Sequence, residues 1–113
     1  DVESRGLGDV YKRQPVEYHV IFWKSELIDF VILQQDAFDE VDSVTPMERQ
    51  EEILNMVIDI CHTEFKFDTF IEVMDYFKKM INLCKQMNYA KYKSEQYEDF
   101  KKQLQELVAE RSV

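Results

Sequence analysis

Residues 20–38 read VIFWKSELIDFVILQQDAF, and this stretch determines the fold class of the chain. Ten of the fourteen residues from 20 to 33 are apolar, and the four polar ones stand at positions 24–26 and 29. A helix that is apolar on most of its sides is buried on most of its sides. The stretch therefore predicts a largely buried first helix that begins at Pro15 and ends near Gln35. It is too short and too charged to span a bilayer.

Two further helices are predicted from capping residues and apolar spacing. After a loop over residues 36–44, Thr45 and Pro46 predict the start of a second helix that runs to about Thr63. After a short break, Asp68 is predicted to cap a third helix. Its apolar positions are separated by three or four residues, as expected for one face of a helix.

The end of the chain predicts a fourth helix. Ser94 is its predicted cap, after a turn over residues 88–93, and residues 110–113 are expected to fray. The sequence contains no alternating strand pattern and no internal repeat. The predicted fold class is therefore all-α, with about four helices in a bundle-like array.

The first fourteen residues differ in composition from the rest of the chain. Both glycines, Gly6 and Gly8, lie there, and residues 6–14 read GLGDVYKRQ. That peptide resembles the translated read-through of a sequencing adapter. We therefore interpret residues 1–14 as a non-native N-terminal segment and residues 15–113 as one helical domain. A natural flexible arm is the alternative for the first segment.

The net charge restricts the class of partner. The chain has 14 basic and 23 acidic residues, which give a formal charge of −9. Nucleic acids and anionic membranes attract basic surfaces, so we expect no nucleic-acid partner and no direct membrane insertion. Cys61 and Cys84 have no paired spacing, and we expect them to be reduced thiols of a cytoplasmic protein.

Catalytic and metal-binding motifs are weak. Cys61 and His62 are adjacent, so a helix points them about 100° apart, and no metal site is predicted. Cys84 falls within the apolar stripe of the third helix, where a free cysteine is usually core. No glycine follows residue 8, and this excludes a phosphate-binding loop in the rest of the chain. No catalytic residue is predicted.

Gln34, Gln35 and Phe38 form the one candidate binding site. The ring of Phe38 could stack on a flat ligand, and the two carboxamides could form hydrogen bonds with its edge. The alternative is a hydrophobic contact that fixes the segment after the first helix, with the glutamines in solvent. The residues alone favour this alternative, because such a short motif has little specificity.

A family resemblance changes that balance. Residues 32–42 read ILQQDAFDEVD and residues 45–50 read TPMERQ. Together they resemble the C-terminal helical domain of the catalytic A subunit of V-type rotary ATPases of the archaeal and bacterial type. The resemblance covers residues 15–113 and is most specific over 33–42. Asp36 stands where the family more often has Asn, and both residues are short and tolerate turns.

The resemblance implies that the chain is a fragment of a larger α/β subunit that binds ATP or ADP with Mg²⁺. The parent complex would couple ATP hydrolysis or synthesis to proton or sodium transport, in the cytoplasm and peripheral to the membrane. Phe38 would contribute to the adenine pocket, with Gln34 and Gln35 beside it.

The resemblance also implies partners. The helices would lie near the central stalk and the B subunits, and the first helix would pack against the upstream part of the same subunit. The fragment alone would bind no cofactor and hydrolyse no ATP. A freestanding helical protein-interaction module is the alternative function.

Overall fold

The computed structural model describes residues 14–41 and 47–113, with side chains described for residues 14–34 and 47–113. The helices are α1 (Val16–Val41), α2 (Met47–His62), α3 (Phe70–Tyr89) and α4 (Glu95–Arg111). Over these ranges the only β-structure is an isolated antiparallel bridge between Phe65 and Ser112. The prediction of an all-α fold with four helices is confirmed.

The helices pack around one apolar core. α1 contacts α2 and α3, and α4 contacts α3. The side chains that are completely inaccessible come from all four helices and include Leu27, Val31, Val57, Val73, Phe77, Met80 and Tyr97. Burial of such side chains stabilises a fold by about 1.5–3 kcal/mol each relative to exposure.

Two contacts set the relative directions of the first three helices. The Nζ of Lys24 donates a hydrogen bond of 2.6 Å to the carbonyl of Thr63, so the early part of α1 lies beside the end of α2. The rings of His19 and Phe70 are 5.3 Å apart, so α1 and α3 begin at the same end of the bundle. Consequently α2 runs back along α1.

The first helix is longer than predicted. α1 continues from Gln35 to Val41, so the prediction of a loop from residue 36 is wrong over residues 36–41. Those residues contain neither glycine nor proline, and polar residues mark an exposed side of a helix without ending it. The predicted cap at Thr45 and Pro46 lies outside the described residues.

The third helix begins one residue later than predicted. Thr69 is its N-cap, and its hydroxyl accepts a hydrogen bond of 3.3 Å from the backbone N–H of Glu72. The Glu72 carboxylate accepts in return from the N–H groups of Thr69 and Asp68, at 3.2 and 2.9 Å. Asp68 therefore contributes a backbone donor to this capping box, and its predicted role as the cap is wrong. The predicted cap of α4 is confirmed, because Ser94 accepts from the N–H of Tyr97 at 3.2 Å.

The end of the chain is held in place by backbone hydrogen bonds. The N–H of Lys66 donates to the carbonyl of Arg111, and the N–H of Val113 donates to the carbonyl of Glu64, both at 3.0 Å. The Arg111 guanidinium also lies 5.4 Å from the ring centre of Phe67. The expectation that this end frays is wrong, because a partner more than forty residues away in sequence satisfies its backbone.

Candidate functional site

The three residues predicted to contact an adenine ring lie in the C-terminal half of α1. Gln34 is half-buried. Gln35 and Phe38 belong to the same helix, and their side chains lie outside the described part of the chain. The three predicted site residues therefore lie on one continuous helix and not at a junction between a helix and a loop.

Position 38 is related by helical spacing to residues earlier in α1. Steps of four, three and four residues lead from Leu27 through Val31 and Gln34 to position 38, and such steps follow one face of a helix. Leu27 and Val31 are fully buried, whereas Leu33 on the opposite side is 65% exposed.

Arg49 is a buried charged residue close to the start of α2. It is 8% exposed, and its guanidinium donates to the carbonyl of Ala90 at 3.1 Å and to the carbonyl of Asn88. Both carbonyls belong to the end of α3, where the helix dipole is negative and a cation is favoured. Arg49 thus fixes the start of α2 to the end of α3.

A second polar network joins α2 to α4. The Glu52 carboxylate accepts a hydrogen bond of 3.0 Å from the hydroxyl of Tyr97 and forms an ion pair with Lys101. Burial raises the pKa of this carboxyl, but the hydrogen bonds from Lys101 and Tyr97 outweigh burial and hold the pKa below its usual value. Burial also raises the pKa of the Tyr97 hydroxyl, which stays protonated and acts as the donor. The network is therefore a structural link in which no group is poised for proton transfer near pH 7.

Both thiols are free. Burial raises the pKa of the fully buried Cys84 to about 12. Burial also raises the pKa of Cys61, only partly offset by the charge of Lys24, and its Sγ lies 3.6 Å from the backbone carbonyl of Lys24. A thiolate is the reactive form of cysteine, so neither environment activates a nucleophile.

The histidines occupy different environments. His19 is fully buried against Phe70, and His62 is exposed at the end of α2. Within residues 14–34 and 47–113, no three His, Cys, Asp or Glu side chains are grouped so that they could hold a metal ion.

Comparison with known proteins gives the family. The chain is 34% identical over 97 residues to the V-type ATP synthase alpha chain of Treponema denticola, and this match covers 86% of the chain. It is 36% identical over 93 residues to that of Chlamydia pneumoniae, and 31% identical over 97 residues to that of Protochlamydia amoebophila. The chain is homologous to the C-terminal part of the V-type ATP synthase alpha chain.

The homology covers a small share of those proteins. This chain spans 16% of the length of each of the three V-type ATP synthase alpha chains. No family model and no solved structure matches it. The family resemblance predicted from the sequence is confirmed, and the roles predicted for Phe38, Gln34 and Gln35 stay predictions.

The sequence contained a signal for Arg49 that the prediction did not use. Arg49, Ile53, Val57 and Ile60 follow one another at steps of four, four and three, and all four are buried. A single arginine on an otherwise apolar helix face must pair its charge inside the protein. Which carbonyls it meets depends on the end of α3, which lies about forty residues further along the chain.

Proposed function

We propose that this chain is the C-terminal helical domain of the catalytic subunit of a V-type ATPase. In this proposal the longer polypeptide binds ATP or ADP with Mg²⁺. Its complex couples ATP hydrolysis or synthesis to the transport of protons or sodium ions. The observation that carries the proposal is the 34% identity over 97 residues with the V-type ATP synthase alpha chain of Treponema denticola.

The chain would supply one wall of the adenine pocket. Phe38 would stack on the base, and the carboxamides of Gln34 and Gln35 would offer hydrogen bonds at its edge. The phosphates need a glycine-rich loop that this chain lacks beyond residue 8, so they would bind to the preceding part of the polypeptide. Alone, the chain would hydrolyse no ATP.

The remaining helices would serve assembly. They would pack near the central stalk and the neighbouring B subunits of a complex that lies in the cytoplasm, peripheral to the membrane. The links at Arg49 and Glu52 support this role, because they join α2 to α3 and to α4.

Two measurements test the proposal. The reading frame upstream of residue 15 should encode a G-x-x-x-x-G-K-[ST] loop, and its absence would refute the proposal. The full-length subunit should bind ATP in isothermal titration calorimetry, whereas the 113-residue chain should give no heat of binding.

A further inference from the structure

α2 and α4 are joined to each other at both ends. Near their starts, the Glu52 carboxylate of α2 accepts a hydrogen bond from Tyr97 and pairs with Lys101 of α4. Just beyond their ends, Phe65 and Ser112 form the isolated β-bridge. The two helices therefore run in the same direction. Each packs mainly on another helix, α2 on α1 and α4 on α3, and this leaves a groove between them.

This groove, which we name the α2–α4 groove, has an apolar part and an acidic part. The apolar part has a volume of about 200 Å³, and its apolar walls are Met56, Ile60, Leu104 and Val108. The acidic part adjoins it, because Met56 and Asp59 line both. The acidic part has a volume of about 400 Å³, and its charged residues are Glu48, Glu51, Glu52, Asp59 and Lys101.

Three of these carboxylates form no ion pair in the part of the chain that the structure describes. Glu52 pairs with Lys101, whereas the exposed side chains of Glu48, Glu51 and Asp59 have no basic side chain within ion-pair distance there. The groove beside the start of α1 is lined by two side-chain carboxylates and two lysines, and the groove between α3 and α4 by two carboxylates and one lysine. Of these three grooves, the α2–α4 groove therefore has the largest excess of negative charge.

We infer that the α2–α4 groove docks a basic amphipathic helix of another polypeptide. This inference rests on the assembly role in the proposed function. An apolar side chain of the partner would enter the cavity between Ile60 and Leu104, and its lysine or arginine side chains would lie against Glu51 and Asp59. Recognition of this kind places the apolar face of a helix in a groove, and opposite charges fix its orientation.

The dimensions of the groove suit a helix. From Glu48 to Ile60 the groove follows α2 for about 18 Å, at a rise of about 1.5 Å per residue, which is the length of a helix of about twelve residues. The apolar part is smaller than the roughly 300–1,000 Å³ that is typical of a small-molecule site. It suits instead a single apolar side chain that anchors a protein partner.

Charge argues against other occupants. A second copy of this chain would bring a formal charge of −9 to an acidic groove, and like charges disfavour association. Nucleic acids and anionic membrane surfaces are also negatively charged, so the groove repels them. None of the described helices is long and apolar enough to cross a membrane. A basic protein segment is the class of macromolecule that these charges favour.

Synthetic helical peptides of defined composition test the inference. Their binding to the full-length subunit is measured by fluorescence anisotropy in the absence of nucleotide. The first peptide has leucine along one face and lysine on the other, the second has glutamate in place of lysine, and the third has alanine in place of leucine. The leucine–lysine peptide should bind about tenfold more tightly than either of the others, because it alone matches both the charge and the apolar part of the groove.

Variants of the subunit locate the binding. Glu51→Lys/Asp59→Lys should weaken binding of the leucine–lysine peptide about tenfold, because it reverses the charge beside the apolar part. Asp75→Lys/Glu106→Lys makes the same change in net charge at exposed positions outside the groove, and this matched control should bind nearly as tightly as the wild type.

Two more variants guard against misfolding and against a purely electrostatic effect. Far-UV circular dichroism checks the helix content of each variant, and Glu51→Gln/Asp59→Asn takes the place of the charge reversal if that variant unfolds. Gln105→Trp narrows the apolar part without changing the charge, and it should also weaken binding of the leucine–lysine peptide.

The outcomes separate the inference from the proposed function. Equal weakening by the groove variant and its matched control would overturn the inference, because binding would then follow net charge alone. Equal affinity of the alanine–lysine peptide, tighter binding of the leucine–glutamate peptide, or no binding of the leucine–lysine peptide would overturn it as well. The expected pattern in a full-length subunit that binds no ATP would support the inference and refute the nucleotide-binding proposal.

Discussion

The guanidinium of Arg49, near the start of α2, donates a hydrogen bond of 3.1 Å to the carbonyl of Ala90, the residue that follows α3. Arg49→Met should lower the free energy of unfolding by about 2–3 kcal/mol, because buried carbonyls lose a charged donor. Urea unfolding followed by far-UV circular dichroism measures this loss. Lys102→Met removes an exposed charge on α4 and should change stability by less than about 0.5 kcal/mol. Equal effects of the two substitutions would contradict the role of Arg49.

The ion pair of Glu52 predicts a dependence of stability on pH. The folded state holds the pKa of Glu52 below its usual 4.5. The ionised Glu52 carboxylate therefore makes its full contribution to stability above pH 4.5. This contribution is lost as the pH falls through the lower pKa of Glu52 in the folded state. We expect the stability difference between the wild type and Glu52→Gln to be largest near neutral pH and to shrink in acid. Urea titrations of both proteins across this range give the difference directly.

Tyr97→Phe provides the matched variant for that experiment. It removes one of the hydrogen-bond donors that lower the pKa of Glu52 and leaves Lys101 in place. Without this donor, the folded pKa of Glu52 should lie closer to its usual value. We therefore compare Tyr97→Phe with the double variant Tyr97→Phe/Glu52→Gln. The stability difference between these two proteins should shrink over a narrower range of pH than the difference between wild type and Glu52→Gln. A difference between wild type and Glu52→Gln that stayed constant into acid would show that the ion pair contributes nothing to folding.

In the capping box at the start of α3, Thr69 and Asp68 have different roles. The hydroxyl of Thr69 accepts from the N–H of Glu72, whereas Asp68 takes part through its backbone. Thr69→Ala should therefore cost about 1 kcal/mol of stability, and Asp68→Ala should cost much less. Thermal unfolding of the two variants decides between them, and a larger loss for Asp68→Ala would favour the cap predicted from the sequence.

The N-cap of α3 shows which features of the fold can be predicted from residues that are close in sequence. An apolar run, apolar spacing and capping residues identified the four helices, and the cap at Ser94 was predicted correctly, because these signals depend on residues a few positions apart. Asp68 is by type at least as good a capping residue as Thr69, so residue type alone does not choose between them; Thr69 caps the helix because Glu72 stands three residues later and completes the capping box. The polar run after Gln35 suggested a loop, but polarity indicates exposure and does not break a helix.

Other features depend on distant parts of the chain. The hydrogen bond between Lys66 and Arg111 and the contact of Arg49 with Ala90 join residues about forty or more positions apart. No local pattern specifies those pairs. The family could be predicted because residues 32–42, which include Phe38, and residues 45–50 resemble it, yet the resemblance does not say what surrounds that ring.

The two cysteines should differ in reactivity. Cys84 is fully buried with a pKa of about 12, whereas Cys61 is only partly buried. In the native protein iodoacetamide should modify Cys84 about tenfold more slowly than Cys61 or slower still, since Cys84 must wait for local unfolding. Peptide mass spectrometry measures both rates, and in urea they should become similar. A Cys84 that reacted as fast as Cys61 in the native state would contradict its burial.

Phe38 can be tested for its two possible roles by measuring two properties of the same variant. If the ring stacks on adenine, Phe38→Ala in the full-length subunit should weaken ATP affinity by about 1–3 kcal/mol, as for one lost stacking contact. If it only packs, the substitution should lower the unfolding free energy of the 113-residue chain and leave ATP affinity unchanged. The packing role is tested because helical spacing relates position 38 to Leu27 and Val31, which are both fully buried.

A control outside the proposed pocket makes that comparison decisive. Ile58 lies on α2 and is 38% exposed, so Ile58→Ala should leave ATP affinity unchanged in the full-length subunit. Phe38→Leu adds a graded variant, because leucine keeps most of the apolar volume but cannot stack as an aromatic ring does. A base-stacking role requires Phe38→Leu to lose affinity nearly as strongly as Phe38→Ala. A packing role instead predicts that leucine restores most of the stability and that neither substitution changes ATP affinity.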